Sequence, residues 1–395
     1  MYIFKTNYLK QLVNQMMNAI SNQTTIDVLH NIYFNGDDQQ LTLKSANGDI
    51  MLTKVIDLTN NENIKKISND AHINHCIPAA QLNTILKTFK EENTSLEINS
   101  ENQMLVLTNG HAQFTLATQS GDAYPHFAEI ENVENDIDGS TLQDAISRVV
   151  NDTQENESRP ILGGIYFSYN ENQKLVLQAT DSHIGGIVVT DLTTNIQNIN
   201  LPIKGIQQIL KTTSHEEFND DTKISIIQTN NAQAGIEIKN KASKLLAVSR
   251  TIEGDYPELN NIVNSIKPRK SHRHELTINR QSLVNLTNQA GLVNAANNNK
   301  IATIKYDYAK QANILAIKAG HGINEFHGEM KIENTDNSFD DPFEITFNTQ
   351  KLKTVLTNFK SKQVTLYLNS ALQPALIVSV DEPNNTQMIA PVRTF

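Results

Sequence analysis

One cysteine, Cys76, is all that 395 residues contain. A lone thiol cannot close an intramolecular disulfide, nor can it build a thiolate metal cage within one chain. Stability has to come from packing. No apolar run approaches the ~18 residues that a membrane-spanning helix needs. The opening Met1-Tyr2-Ile3-Phe4-Lys5 lacks a basic segment followed by an apolar stretch and a cleavage site. The expectation is a cytosolic chain with no membrane partner. Low-complexity tracts are missing as well, so no long disordered stretch is expected. Gly163-Gly164 and Gly320-His321-Gly322 lack the lysine-bearing pattern of a phosphate loop, and no nucleotide or other cofactor is implied. Positive charge is scarce: 33 Lys and Arg against 43 Asp and Glu leave a formal net charge of −10. That balance governs solubility and long-range steering, whereas contact with phosphate depends on where the cations sit.

What the chain does have is a repeat. Tyr124-Pro125 is followed by Ile130 and Tyr256-Pro257 by Ile262, at the same spacing and one third of the chain apart. Gly121-Asp122 precedes the first pair and Gly254-Asp255 the second, with one residue inserted in the first copy. A period this long fits duplicated whole domains rather than solenoid turns. The length accommodates three domains, each large enough to bury its own core. Boundaries are expected near 131 and 265, the latter close to the basic Lys267-Pro268-Arg269-Lys270, giving thirds of 1–130, 131–264 and 265–395.

Each third reads as the same series of elements. A first amphipathic helix is marked by Leu9, Leu12, Val13, Met16 and Ile20, by Leu142, Ile146, Val149 and Val150, and by Leu283, Leu286 and Ala290. A second helix carries the i, i+3, i+4 stripe at Leu82, Ile85 and Leu86, at Ile206, Ile209 and Leu210, and at Leu352, Val355 and Leu356. Strands are expected at 41–43, 165–167 and 314–317 between the helices, and at 95–98, 114–116, 224–226, 236–238, 365–368 and 376–378 after them. Two helices and roughly eight strands per third make an α+β domain with its helices on one face of a sheet.

Helical geometry then locates some of the cations. With Ile206 at 0°, Lys204 and Lys211 fall at about 160° and 140°, away from the apolar stripe. Lys87 takes the place of Lys211 in the first third, with Lys90 on its flank, and Lys351, Lys353 and Lys360 border the third stripe. A lysine opposite an apolar stripe usually means a solvated face. Three coincident faces also fit one shared basic surface on an acidic molecule.

The segments Arg159-Pro160-Ile161-Leu162-Gly163-Gly164-Ile165, Ala179-Thr180-Asp181-Ser182-His183, Ile252-Glu253-Gly254-Asp255-Tyr256-Pro257 and Pro391-Val392-Arg393-Thr394-Phe395 resemble those of the bacterial β sliding clamps, the processivity subunits of DNA polymerase III. The similarity runs through all three thirds. It implies the DNA clamp fold: a crescent of three domains that dimerises head to tail into a ring of six, helices inside and antiparallel sheets outside. Double-stranded DNA threads through such a ring. The family holds a polymerase on its template and has no catalytic residues. Partners implied by the resemblance are the replicative polymerase, the clamp loader and other proteins carrying a short clamp-binding peptide.

By the same resemblance, Lys204, Lys211, Arg159 and Lys87 are expected to make sequence-independent contacts to phosphate. Phe114 and Leu116, with Leu292 and Val293, match dimer-interface positions and are expected to be buried only in the homodimer. The partner-peptide pocket matches Leu162, Thr180, Ser182, His183, Pro257, Ile262, Met388, Ile389, Pro391 and Val392. The chain departs from the family at Ile184-Gly185, where Arg then Leu is common, and at Asn261, where a second Arg is frequent. Gln23 and Ala80 replace basic positions of some relatives. These departures keep open a divergent paralogue that serves as a protein-binding scaffold with altered partner choice.

Other readings are weaker. Asp181-Ser182-His183 resembles a hydrolase constellation only on paper, because adjacent strand residues point to opposite faces and a triad is assembled in space. His72, His75 and Cys76 sketch a metal site with no further acidic or His cluster nearby, and no metal is expected. The Tyr-Pro pairs read equally well as strand ends that turn the chain between domains, and Pro257 as turn or as pocket wall.

Overall fold

A computed structural model of the chain describes all residues except 22, 60, 68–71, 100, 126–136, 195, 197, 214–221, 230–232, 267–273, 297–299, 307–313, 322–323, 336–342 and 394–395. Ile130, the boundary near 131, the stretch Lys267 to Lys270, Gly322, Thr394 and Phe395 therefore lie outside the described residues.

The first third runs β1 (Tyr2–Lys5), α1 (Thr6–Met16), β2 (Asn31–Gly36), β3 (Gln40–Ala46), β4 (Ile50–Asp57), β5 (Ile64–Lys66), β6 (Ile73–Pro78), α2 (Ala79–Thr88), β7 (Asn93–Asn99), β8 (Met104–Asn109), β9 (Ala112–Ala117) and β10 (Gln119–Ser120). The second runs α3 (Gly139–Ser147), β11 (Gly164–Tyr169), β12 (Lys174–Thr180), β13 (Ile184–Thr193), β14 (Ile199–Pro202), α4 (Ile203–Thr213), β15 (Lys223–Thr229), β16 (Gln233–Lys239), β17 (Ser243–Arg250) and α5 (Leu259–Ile266). The last runs β18 (His274–Asn279), α6 (Arg280–Ala296), β19 (Ile301–Tyr306), β20 (Ile314–His321), β21 (Asn324–Thr335), β22 (Phe343–Asn348), α7 (Thr349–Thr357), β23 (Gln363–Leu368), β24 (Ala375–Val378) and β25 (Asn385–Ile389). Helix, strands, helix and three closing strands recur in that order three times. Every strand anticipated from alternation is present.

The differences are local. The first helix stops at Met16 and tightens into a 3-10 turn over Met17–Ala19, leaving Ile20 outside it and half-buried. Val149 and Val150 follow the end of α3 rather than belonging to it. Helix α5 was not anticipated, although Leu259, Val263 and Ile266 are buried at helical spacing.

The stripes face inward as their spacing requires. Leu283, Val284 and Ala290 of α6 and Leu352, Val355 and Leu356 of α7 pack with Ile304, Leu315, Ile317 and Leu366 in one buried cluster. Each of the Leu, Ile and Val side chains contributes about 1.5–3 kcal/mol of burial. On α4, Ile203, Ile206 and Ile209 are buried while Lys204, Gln207 and Lys211 are exposed, so both lysines point away from the core.

The chain divides into two compact units, residues 1–140 with 204–251 and residues 141–203 with 252–395. Sheet pairing explains the division. In the first unit, β17 of the second third adds antiparallel to β4 of the first, from Ser243 opposite Ile56 to Ser249 opposite Ile50. In the second unit, β25 of the last third adds antiparallel to β13 of the second, from Ile184 opposite Ile389 to Val188 opposite Asn385. Strands β9, β17 and β25 hold equivalent places in the repeat, as do β4, β13 and β21. The same joint is therefore made twice. Strand β9 ends its five-stranded sheet, and the first eight residues of β21 pair only with β20 among the described residues.

Each joint also ties helix ends together. In the first, the Gln15 side chain at the end of α1 donates to the Thr212 carbonyl near the end of α4, at 3.0 Å. In the second, the Asn358 amide just past α7 donates to the Asp152 carboxyl at 2.8 Å and to the Gln387 side chain at 3.1 Å. Gln387 in turn donates to the Arg148 carbonyl and to Asn385. Gly186 makes room for this buried network: a Cβ there would come within 2.2 Å of the Asp152 carboxyl. No helix among the described residues is long and apolar enough to cross a membrane.

Candidate functional site

The second unit carries a mostly apolar groove of about 390 Å³. Its floor and walls come from several separate stretches of chain. The short helical turn Pro160–Leu162 supplies Ile161 and Leu162, with Arg159 beside them. That turn is pinned from below, because Thr153 Oγ1 donates to the Leu162 carbonyl and Asn200 Nδ2 to the Ile161 carbonyl. Asp255, Pro257, Leu259 and Ile262 enter from the segment leading into α5, and Pro374, Met388 and Ala390 from the last third. Helix α5 is held by its buried side, where Leu259, Val263 and Ile266 pack with Val176, Ile187, Leu376 and Met388. Ile262 is left on its outward side and faces the groove.

Thr180, Ser182, His183 and Ile184 complete the groove at the tight turn between β12 and β13. This turn is over-determined. The Asp181 amide donates to the Ile184 carbonyl, and Asp181 Oδ1 accepts the amides of His183 and Ile184 at 2.8 and 2.9 Å. Thr180 Oγ1 donates to the Ile184 carbonyl and accepts the Ser182 amide. The Ala390 amide donates to the His183 carbonyl at 2.7 Å, tying the turn to the last third. Ser182 pays with a φ of +73°, a left-handed conformation that costs a side-chain-bearing residue about 1–2 kcal/mol.

The electrostatics are as specific. Burial works to raise the Asp181 carboxyl, but the Lys351 ammonium and the amides of Ile184 and His183 outweigh it and hold the group below the usual carboxylate range. Its carboxylate is thus occupied by a lysine and by backbone, and Ser182 Oγ bonds the Asp181 carbonyl. This is the geometry of a structural turn, not of a nucleophile with its base. Behind the groove, Tyr256 stacks on Tyr166 with ring centroids 4.6 Å apart, and burial raises its phenol. Tyr124 stacks in the same way on Tyr33, at 5.2 Å. Both tyrosines of the repeated Tyr-Pro pair are therefore clips onto a strand, and Pro257 lines the groove besides.

Of the ten residues expected at the pocket, Leu162, Thr180, Ser182, His183, Pro257, Ile262 and Met388 line it. Ile389 does not. It is buried in the core cluster with Ala375 and Leu366, because successive strand residues point to opposite faces and Met388 takes the groove side. Pro391 and Val392 are half-buried beyond the lining, where the Val392 amide bonds the Thr346 carbonyl. Arg159, expected among the phosphate contacts, is exposed at the groove. Ile161, Ile184, Asp255, Leu259, Pro374 and Ala390 also line the groove and are not among those ten. The spacing of Leu259, Ile262, Val263 and Ile266 could have revealed α5, whereas nothing local to Pro374 shows that the last third folds back to this place.

Lys87, Lys204 and Lys211 are all exposed on their helices. Lys351 and Lys360 are engaged by Asp181 and Asp144. Among the expected interface residues, Phe114 is exposed and Leu292 is 74% exposed, while Val293 is half-buried. Leu116 departs from expectation, being only 9% exposed in the single chain and the one buried residue of β9, although it shares a face of the strand with Phe114. His75 bonds Thr118 and Cys76 is buried, and no three His, Cys, Asp or Glu among the described residues are placed to hold a metal.

Comparison with known proteins agrees with this architecture. The N-terminal, central and C-terminal domain families of the DNA polymerase III beta subunit match residues 1–128, 136–258 and 265–393 in turn. The beta sliding clamp of Staphylococcus aureus is 22% identical over 406 aligned positions, covering 100% of this chain and 99% of the relative. The crystal structure of the DNA polymerase sliding clamp from Bacillus subtilis superposes with a TM-score of 0.85 at 20% identity, covering 100% of this chain and 99% of that one. The beta subunit of Streptococcus pyogenes DNA polymerase does so with a TM-score of 0.84 at 22% identity, covering 100% of both. With all three domains present in order and the clamp fold complete, the chain belongs to the DNA polymerase III beta subunit family.

Proposed function

We propose that two copies of this chain close into a ring around duplex DNA and act there as a sliding clamp, holding the replicative polymerase and other partners on the template. The clamp itself is non-catalytic and works in the cytoplasm. The observation that carries this reading is the joint made twice within the chain. Among the described residues its two halves are unmatched at the extremities, β9 in the first third and the start of β21 in the last. An unpaired strand edge is a template for pairing with another chain, and a head-to-tail dimer would pair these two edges of each copy with those of its partner. Phe114 on β9 and Leu292 on α6, the helix that packs against β20 and β21, supply the exposed apolar surface such a closure would cover.

Lys87, Lys204 and Lys211 would then give weak, sequence-independent phosphate contacts, so that the ring slides. Arg159 we assign to the groove, where its cation would meet a partner peptide. The groove takes the apolar anchors of short peptides from the polymerase, the clamp loader and repair proteins. A run-off assay tests the whole reading. Loaded onto nicked circular DNA by a clamp loader, the protein should be retained and should be released on linearisation, with retention weakened by Lys204→Glu and Lys211→Glu together. Equal retention on circles and linear DNA, or none on either, would remove encirclement and leave a peptide-binding scaffold.

A further inference from the structure

Lys351 sits in the first turn of α7, where the helix dipole disfavours a cation. The Asn348 side chain already caps this helix by accepting the amides of Gln350 and Lys351, so the lysine has no part in starting it. Its ammonium instead reaches Asp181, 170 residues away in sequence. The pair is sheltered, with 9% of the Asp181 side chain and 26% of the Lys351 side chain exposed. The other Asp181 oxygen holds the amides of His183 and Ile184, which are themselves groove residues. One carboxylate thus links α7 to the turn that shapes one end of the groove, and that turn contains the left-handed Ser182.

We infer that Lys351 is a positioning residue for peptide recognition: by holding Asp181 it keeps the Ser182–His183 turn in the shape that receives a partner's apolar anchors. This rests on the groove being a peptide site. Without the ammonium, Asp181 would be a sheltered carboxylate with backbone partners only, and its most direct relief is to swing toward water. That motion takes the His183 and Ile184 amides out of their bonds and lets Ser182 leave its strained conformation. The charge matters because a neutral acceptor could still satisfy the amides but would gain nothing from α7.

The test uses the full-length protein and a fluorescent peptide ending in adjacent Leu and Phe, the chemistry an apolar groove selects. Lys351→Met should weaken its binding about tenfold, Lys351→Arg should restore it, and Lys351→Met should have little further effect in an Asp181→Asn background. The amides of His183 and Ile184 should exchange with solvent faster in Lys351→Met, while those of β23 are unchanged. Wild-type binding with no loss in Lys351→Met, or unchanged exchange at His183 and Ile184, would overturn the positioning role alone. No binding by the wild-type protein would overturn the groove as a peptide site, and the role with it.

Discussion

The two internal joints are built on one plan and fastened by different chemistry. Where β17 meets β4, seven residue pairs bring together Leu245, Ala247, Ile50, Leu52 and Ile56, all buried, with one helix-end hydrogen bond from Gln15. Where β25 meets β13 there are five pairs. Beside them lies a fully buried Asp152 amid Asn358, Gln387 and Asn385, together with an ionic chain in which Arg148 bonds Asp144 and Glu382 and Lys360 bonds Asp144. A strand edge fixes the geometry of a junction, and side chains then decide what conditions it responds to. The first joint also carries charge, with Lys54 buried on β4 and Lys244 paired with Glu237, but it lacks the ionic chain and buried carboxyl of the second and should respond less to pH and salt.

The largest effect should come from the apolar joint. Leu245→Ala should cost about 2–5 kcal/mol, as truncation of a buried leucine does, with the same cost at low and high salt in urea unfolding. Asn358→Ala should cost about 1–3 kcal/mol by leaving the Asp152 carboxyl and Gln387 without their donor, and β13 and β25 should lose hydrogen-exchange protection before β4 and β17 do.

Asp152 sharpens the contrast through pH. Burial pushes its carboxyl well above the ordinary range, the Asp181 carboxylate adds to this, and the Asn358 and Gln387 amides oppose it. In the unfolded chain the group loses its proton near pH 4, while the folded chain retains it. Between those two values the folded state binds more protons, so this group's contribution to stability falls as pH rises. Asp152→Asn should flatten that slope, stabilising the second joint more at pH 8 than at pH 5. Asp144 acts in the opposite sense: Lys360 and Arg148 overcome its burial and hold it below the usual range, so its contribution is lost only in acid. The smallest effect is expected for Lys360→Met, whose side chain is 70% exposed, about 1 kcal/mol or less and shrinking with added salt, whereas no such salt dependence should appear in the Leu245→Ala variant.

Legibility in the sequence followed the range of the interaction. Stripes such as Ile206, Ile209 and alternations such as Leu41-Thr42-Leu43 are local, and they located the helices and strands. The Tyr-Pro repeat gave the triplication. The groove was half legible, because the segments around Leu162, Ser182 and Pro257 each carry their own pattern. What failed was direction and distance. Met388 and Ile389 are both apolar, and only the pairing of β25 with β13 and β24 decides which one faces the groove. Leu116 shares a face of β9 with Phe114, and only the packing of the folded chain shows that the first is already covered and the second exposed. Lys351 bordering a stripe gave no hint of Asp181, since that meeting depends on the second joint being made.

Cys76 lies fully buried on β6 in the first unit, and burial pushes its thiol up to about 11. At neutral pH it is both hidden and almost entirely uncharged, so a thiol-directed dye can react only when that unit breathes. The chain carries a natural stopwatch for opening of one half and none for the other. Labelling rates read with and without DNA would time the first joint alone, with no engineered probe.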